Sequence, residues 1–137
     1  MKLEDQVVSL ELAKRLKELG VKQESLFYWV NGLISNAEHA IECQYENRNK
    51  GTRHSISSAF TVAELGEMLP WRIDGKDITD KRRKIAYFLE YEAGGMSVCY
   101  THHLNVTKVL VERIAETEAD ARAKMLIYII ENNLITV

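Results

Sequence analysis

The sequence predicts a single α+β domain, in which an antiparallel sheet of hairpins packs against an N-terminal helix, a short middle helix and a C-terminal helix. Leucines recur at helical spacing near the N-terminus, and a broader apolar stripe of the same period follows Thr117. Between them, two runs of aromatic and β-branched residues are each interrupted by a glycine-containing turn sequence. A chain of 137 residues has the usual length of one domain, so residues 1–137 are assigned to one unit.

The N-terminal helix is predicted from its apolar face. Leu12, Leu16 and Leu19 recur at spacings of three and four, while charged residues occupy most of the positions between them. Ser9 is a residue type that accepts hydrogen bonds from the amides of a first helical turn, and Gly20 is one that ends helices in the left-handed conformation. We therefore expect a helix bounded by Ser9 and Gly20.

A β-hairpin is predicted next in the chain. The segment 26–30 is rich in aromatic and β-branched residues, and it is followed by Asn31 and Gly32, which together form the strongest short hairpin signal. Residues 33 and 34 would begin the returning strand. The polar stretch 35–58 has few apolar residues, and we expect it to be a partly ordered excursion.

A short middle helix is predicted from its cap. Thr61 and Glu64 have the spacing of a capping box, in which each side chain bonds to the backbone amide of the other residue. Pro70 should end this helix, because the residue before a proline is pushed towards extended geometry. The expected helix covers residues 62–69.

A second hairpin is expected over residues 85–100, and a further strand is expected over residues 106–114. Residues 85–91 and 96–100 are rich in β-formers and flank a turn that contains Gly94 and Gly95. The segment 106–114 fits either a strand or a helix. We favour the strand because of its β-branched residues.

The C-terminal helix should begin at Thr117, with Asp120 placed where an acid favours a helix N-terminus. Its core stripe consists of Ala123, Leu126, Ile127, Ile130 and Leu134. Three more apolar residues widen this stripe beyond one face: Met125, Tyr128 and Ile129. The helix is therefore either sunk between layers or shared between a sheet and a partner subunit, and we expect a homodimer or a higher homo-oligomer.

Composition excludes several classes of protein. Eighteen basic and twenty acidic side chains give a net charge of -2, so binding to nucleic acid would need a local basic patch. Cys43 and Cys99 are far apart and are expected to be free thiols in a reducing compartment. The N-terminus lacks the apolar core of a signal peptide, and no apolar run reaches the roughly eighteen residues of a membrane span. We expect a cytoplasmic protein without membrane contact.

Three blocks of the sequence stand out, namely DQVVSLELAKRLKELGVKQES (residues 5–25), FTVAELGEMLP (residues 60–70) and TEADARAKMLIYIIENN (residues 117–133). Together they resemble a family of small uncharacterised proteins of bacteriophages and prophages. With the continuation of the first block to Trp29, they cover somewhat under half of the chain. The resemblance implies a phage origin and an infected bacterial cytoplasm, and it implies no catalytic residues.

Neither metal binding nor catalysis is expected from the motifs. Cys99, His102 and His103 lie close in sequence, but adjacent residues on a strand point to opposite faces. The remaining thiol and histidines have no diagnostic ligand spacing: Cys43, His39 and His54. There is no GxSxG nucleophile motif and no phosphate-binding loop. We therefore predict no metal, no cofactor and no catalytic residue.

The basic run 81–84 is the sharpest charge feature. It could hold a phosphate or another anionic group while nearby aromatic rings stack on a base. The wider candidate ligand site consists of Trp29, Trp71, Arg72, Arg82, Arg83 and Tyr87. The simpler interpretation is a solvated turn neutralised by Asp77 and Asp80, and we favour it because short basic runs are common.

The predicted function is that of a non-catalytic phage accessory protein that binds a host protein or sequesters a small anionic ligand such as a nucleotide. One alternative is a helix-turn-helix regulator that binds DNA. Its fit is poor, because Gly20 follows Ala13 by seven positions rather than about four. The other alternative is a small enzyme of unknown class.

Overall fold

Two antiparallel sheets and the helices packed on them form the part of the chain that the computed structural model describes, which is residues 2–77, 80–135 and 137. The helices are α1 (Leu3–Gln6), α2 (Leu10–Glu18), α3 (Ala37–Asn49), α4 (Val62–Met68) and α5 (Glu118–Glu131). The strands are β1 (Phe27–Val30), β2 (Leu33–Asn36), β3 (Ile56–Ser58), β4 (Arg72–Lys76), β5 (Lys84–Glu92), β6 (Ser97–His102) and β7 (Asn105–Ile114). The α+β fold class is therefore confirmed.

The large sheet has the strand order β4-β5-β6-β7, with every neighbouring pair antiparallel. Side chains alternate between its two faces, and Val98 and Tyr100 of β6 point into the core that also contains Leu126 and Ile129 of α5. We call the twenty buried residues of this cluster the main core. The segment 106–114 lies within β7, so the strand prediction is confirmed and the helical alternative is wrong.

Helix α5 begins where Thr117 predicted it, since the Thr117 hydroxyl accepts a hydrogen bond from the Asp120 amide at 3.2 Å. Its apolar surface is wide because α2, α4 and the large sheet all contact it. Met125 and Ile129 are fully buried within this one chain. The width of the stripe thus has an explanation without a second subunit, and the homo-oligomer stays a prediction.

The small sheet has the order β2-β1-β3, and α3 packs against it. Five buried residues form a second cluster, which we call the minor core: Tyr28, Val30, Ala40, Cys43 and Ile56. The hairpin between β1 and β2 is confirmed at the predicted turn, where Asn31 and Gly32 have φ values of 52° and 82°. Two consecutive positive φ values are the signature of the tight hairpin turn that this residue pair favours.

The expectation of a partly ordered excursion over 35–58 is wrong, because this range contains the end of β2, helix α3 and strand β3. Helix α3 was not predicted because it buries only Ala40 and Cys43 and therefore has no apolar stripe in the sequence. A cap was nevertheless present in the sequence. The side chain of Asn36 accepts a hydrogen bond from the His39 amide at 2.8 Å.

The two predicted caps in the first half of the chain differ in outcome. The capping box of α4 is confirmed, with the Thr61 amide donating to Glu64 Oε1 at 2.9 Å. Ser9 does stand at the start of α2, but its side chain makes no capping hydrogen bond. Its backbone amide instead donates to Asp120 Oδ1 at 2.8 Å.

No helix among the described residues combines the length and the apolar character that crossing a bilayer requires.

Candidate functional site

The six predicted ligand residues lie in separate parts of the fold, and two of them belong to packing. The ring of Tyr87 is fully buried in the main core, and its hydroxyl donates to the Lys76 carbonyl at 2.7 Å. Trp29 packs against the same core, and its Nε1 donates to the Val8 carbonyl at 2.8 Å. The buried face of Tyr87 leaves no room for a stacked ligand, so its place in the predicted ligand site is wrong.

Trp71 and Arg72 lie together at the start of the edge strand β4. Trp71 is 69% exposed and stacks on Phe88, with ring centroids 5.7 Å apart. Arg72 is held by Asp74, whose carboxylate accepts from Nε and Nη2 of the guanidinium at 2.9 and 2.8 Å. This guanidinium is therefore already neutralised, and it lies on an open strand rather than in a pocket.

Arg82 and Arg83 lie in the exposed turn that leads into β5. The side chain of Arg82 is 92% exposed and is paired with Asp80 at 3.3 Å. Arg72 lies opposite Phe88, which is four residues, or about 13 Å, along β5 from Lys84, the residue that follows Arg83. The structure thus places these arginines apart, and the run 81–84 has the arrangement of a solvated basic turn.

A groove of about 700 Å³ lies elsewhere, between the N-terminal segment and the starts of α4 and α5. Its volume is within the range of ligand sites, about 300–1,000 Å³. The apolar lining consists of Leu3, Phe27, Val62, Ala63 and Met96. The polar lining consists of Asp5, Gln6, Thr61, Glu116, Thr117 and Glu118. We refer to this feature as the acidic groove.

One wall of the acidic groove is built by contacts around Thr61. Val7 forms an isolated antiparallel bridge with Thr61, and the Val8 amide donates to the Phe60 carbonyl at 2.8 Å. Glu64 links this wall to the small sheet. While one of its carboxylate oxygens completes the capping box, the other accepts from the Leu26 amide at 3.2 Å. These bonds place Phe27 beside the N-terminal segment.

The opposite wall is built around the start of α5. Asp120 joins this helix to the N-terminal segment through the Ser9 amide. Gly95 lies close to the side chain of Glu118, since a Cβ atom at this glycine would be 2.6 Å from Glu118 Cδ. Gly95 has a φ of +90°, a conformation that side chains rarely adopt. The glycine therefore makes room for the Glu118 side chain.

The charge of the acidic groove decides what it can bind. Asp5, Glu116 and Glu118 contribute carboxylates, and in the described part of the chain none of the three forms an ion pair with a basic side chain. The lining contains no histidine or cysteine, and the two threonine hydroxyls act as helix caps. The groove is suited to apolar groups accompanied by positive charge, and its carboxylates would repel a phosphate.

A thiol beside a histidine does occur in α3, where Cys43 Sγ is 3.7 Å from His39 Nε2. Catalysis would require a thiolate that a substrate can reach. Cys43 is only 2% exposed, and burial, together with Glu46 and Glu42, raises the pKa of its thiol. This pair therefore does not supply a nucleophile.

The arrangement at residues 10–30 does not match a helix-turn-helix. Helix α2 is followed by an extended connection and then by β1, where that motif would place its second helix. The connection ends in residues 27–30, whose aromatic and β-branched side chains favour a strand. A recognition helix is thus absent from this stretch.

The acidic groove was not predicted from the sequence, because its lining comes from five separate stretches of the chain. The caps at Thr61 and Thr117 were the available signal, since they fix where two helices begin. Nothing in a single sequence says that those two points lie side by side. Comparison with known protein families, with curated proteins and with solved structures finds no match to this chain.

Proposed function

We propose that this chain is a non-catalytic accessory protein of a phage or prophage, and that it binds a basic, partly apolar segment of a host protein in the bacterial cytoplasm. The phage context rests on the three blocks of resemblance. The mode of binding rests on the acidic groove. A single observation carries the proposal: an apolar groove of about 700 Å³ is edged by three carboxylates.

Protein segments fit the acidic groove better than small anions do. Leu3 and Met96 are 39% and 44% exposed, so apolar surface is available to an incoming side chain. The carboxylates of Asp5, Glu116 and Glu118 would pair with lysine or arginine on either side of it. The predicted alternative, a small anionic ligand, has less support at Arg72 and Arg82, because both are paired with aspartates on open surface.

A peptide titration tests the proposal. The probe is a fluorescein-labelled peptide of alternating leucine and lysine, and the reference is the same peptide with glutamate in place of lysine. We expect the basic peptide alone to bind, because electrostatic complementarity discriminates strongly between opposite charges. Fluorescence anisotropy measures both dissociation constants at two salt concentrations, and the affinity for the basic peptide should fall as salt rises.

Matched variants test whether the basic peptide binds at the acidic groove. The double change Glu116→Gln and Glu118→Gln should weaken binding of the basic peptide by about tenfold, since exposed charge pairs contribute up to about 1 kcal/mol each. Glu11→Gln, an exposed change on α2 away from the groove, should leave it unaltered. Equal affinities for all three proteins would refute the groove as the binding site.

A further inference from the structure

Three metal-ligating side chains come together at α3, and a fourth lies beside one of them. The Cys43 thiol, a Glu46 carboxylate oxygen and a His54 ring nitrogen lie within 4.8 Å of one another. His39 Nε2 lies 3.7 Å from Cys43 Sγ. His39, Cys43 and Glu46 share one helix face because they are spaced by four and three residues, and His54 reaches them from the segment before β3.

We propose that Cys43, Glu46 and His54 bind a Zn²⁺ ion, with His39 as the fourth ligand. Ligand atoms of a tetrahedral zinc site lie about 3.3–3.8 Å apart, given metal–ligand bonds of about 2.0–2.3 Å. Two of the distances are already in this range, at 3.7 Å for Cys43 to His39 and 3.7 Å for Glu46 Oε2 to His54 Nε2. A four-ligand site requires the His39 and Glu46 side chains to rotate towards the other ligands, and these side chains are 54% and 37% exposed.

An unsatisfied atom points to a ligand at this place. His54 Nε2 is buried and has no hydrogen-bond partner in the described structure. Buried polar atoms without a partner are rare in native proteins, and a metal ion can satisfy this one once the ring proton is on Nδ1 and the Nε2 lone pair is available. The nearest acid, Glu46, is too far for a hydrogen bond at 3.7 Å, but it is at the right distance to share a metal with His54.

The donor set favours zinc over the harder cations. A thiolate with one or two imidazoles and a carboxylate is typical of Zn²⁺, whereas Mg²⁺ and Ca²⁺ prefer oxygen alone. On binding, the Cys43 thiol gives its proton to solvent and the sulfur bonds to the metal as a thiolate. The side chain of Glu46 is 37% exposed and that of His39 54%, so the ion can enter from the solvent side of α3.

The minor core gives the ion a structural role. Among the described residues, five are buried in that cluster, and α3 contributes Ala40 and Cys43 to it. Small cores are commonly completed by a metal or a disulfide. A zinc ion on His39, Cys43 and Glu46 would fasten α3 to the segment before β3 through His54.

In the structure, Asn31 favours the His54 tautomer that carries its proton on Nε2, so metal binding has to reverse this contact. Asn31 Oδ1 accepts from the Ser55 amide at 3.0 Å, which turns its amide nitrogen towards His54 Nδ1, also at 3.0 Å. Zinc on Nε2 requires Nδ1 to carry the proton and to donate it. Asn31 must therefore turn its oxygen to His54 and release the exposed Ser55 amide to water.

Titration with Co²⁺, a spectroscopic substitute for zinc, tests the proposal on the full chain. We expect one equivalent to bind and to produce a sulfur-to-cobalt charge-transfer band, which Zn²⁺ then displaces. Cys43→Ser should abolish the band, because no other residue of the site supplies sulfur. Cys99→Ser is the matched control and should keep it, since Cys99 belongs to a different cluster, with Glu90 and Glu92.

A second variant keeps the proposal testable if Cys43→Ser unfolds the minor core. Asn31→Asp retains a residue pair that favours the same turn and offers His54 Nδ1 an acceptor without rearrangement. It should tighten Zn²⁺ binding on the order of tenfold, the usual scale of an effect from the partner of a metal ligand. A missing band in the wild-type protein, or a band that survives Cys43→Ser, would overturn the zinc site.

Discussion

The thiol of Cys99 lies in the middle of the large sheet, on the face opposite Val98 and Tyr100. It is 1% exposed, and its register neighbours are Glu90 on β5 and Glu112 on β7. Burial, followed by the charges of Glu92, Glu90 and Glu112, raises the pKa of this thiol to about 11. The folded protein therefore keeps the Cys99 thiol in its neutral, protonated form below about pH 11.

Alkaline pH should therefore destabilise the protein through Cys99. The unfolded thiol ionises at about pH 8.5, whereas the folded one holds its proton to about pH 11, so the unfolded state loses its proton first. The contribution to stability is complete below about pH 8.5, falls as the pH rises and is lost above about pH 11. Urea unfolding across this range measures the fall.

Cys99→Ala removes the ionisation and serves as the comparison for that experiment. The variant will be less stable at neutral pH because it leaves a small cavity. Its deficit relative to the wild-type protein should shrink as the pH rises towards 11. A deficit that stays constant with pH would show that Cys99 ionises with an ordinary pKa in the folded protein.

At the scale of elements, the contact between α4 and α5 depends on Gly66. Arg122 of α5 donates from Nη1 to the Val62 carbonyl at 2.9 Å, and its guanidinium lies 4.3 Å above the ring of Tyr91. A Cβ atom on Gly66 would collide with Arg122 Nη1. The glycine thus allows a side chain of α5 to reach the first turn of α4.

Gly66→Ala should destabilise the protein, although alanine is the better helix former. The change gains about 1 kcal/mol of helix propensity, and it displaces a charge-assisted hydrogen bond that contributes about 1.5–3 kcal/mol. We expect a net loss of about 1 kcal/mol and a melting temperature lower by about 4 °C, measured by calorimetry.

The double-mutant cycle with Arg122→Ala separates these two effects. Once the guanidinium is gone, Gly66→Ala meets no obstacle, and only the gain in propensity remains. The alanine at position 66 should then raise the melting temperature. If it lowers stability equally in both backgrounds, the collision with Arg122 is not the cause.

The elements that could be predicted from the sequence are those with local signals. The turn at Asn31, the capping box at Thr61 and the cap at Thr117 depend on residues within a few positions of one another, and each is found in the structure. Helix α3 lacks an apolar stripe because the minor core needs only two of its residues. The candidate sites were missed for a different reason. Only the fold shows that the main core closes over the ring of Tyr87, and only the fold brings His54 to Cys43.

At the scale of the whole molecule, the described part of the chain contains two hydrophobic cores of unequal size. Twenty buried residues form the main core, and five form the minor core. Hydrophobic stabilisation grows with the apolar area that is buried, so the minor core contributes much less to it. Segments with few buried apolar contacts open locally at lower free energy than the molecule as a whole.

Hydrogen exchange should reveal this inequality. Without added metal, the amides of α3 should exchange at least about tenfold faster than those of α5, because α3 can detach while the main core stays intact. Hydrogen exchange in two matched variants tests whether the two cores open separately.

Ile56→Val in the minor core and Ile129→Val in the main core each remove one methylene and cost about 0.5–1.5 kcal/mol. The first should speed exchange in α3 and β1–β3 alone, whereas the second should speed exchange throughout the chain. Equal effects of both variants on α3 and α5 would mean that the two cores unfold as one unit.

Added Zn²⁺ should slow exchange in α3 more than in α5, since the ion would bind only while α3 is docked against the small sheet.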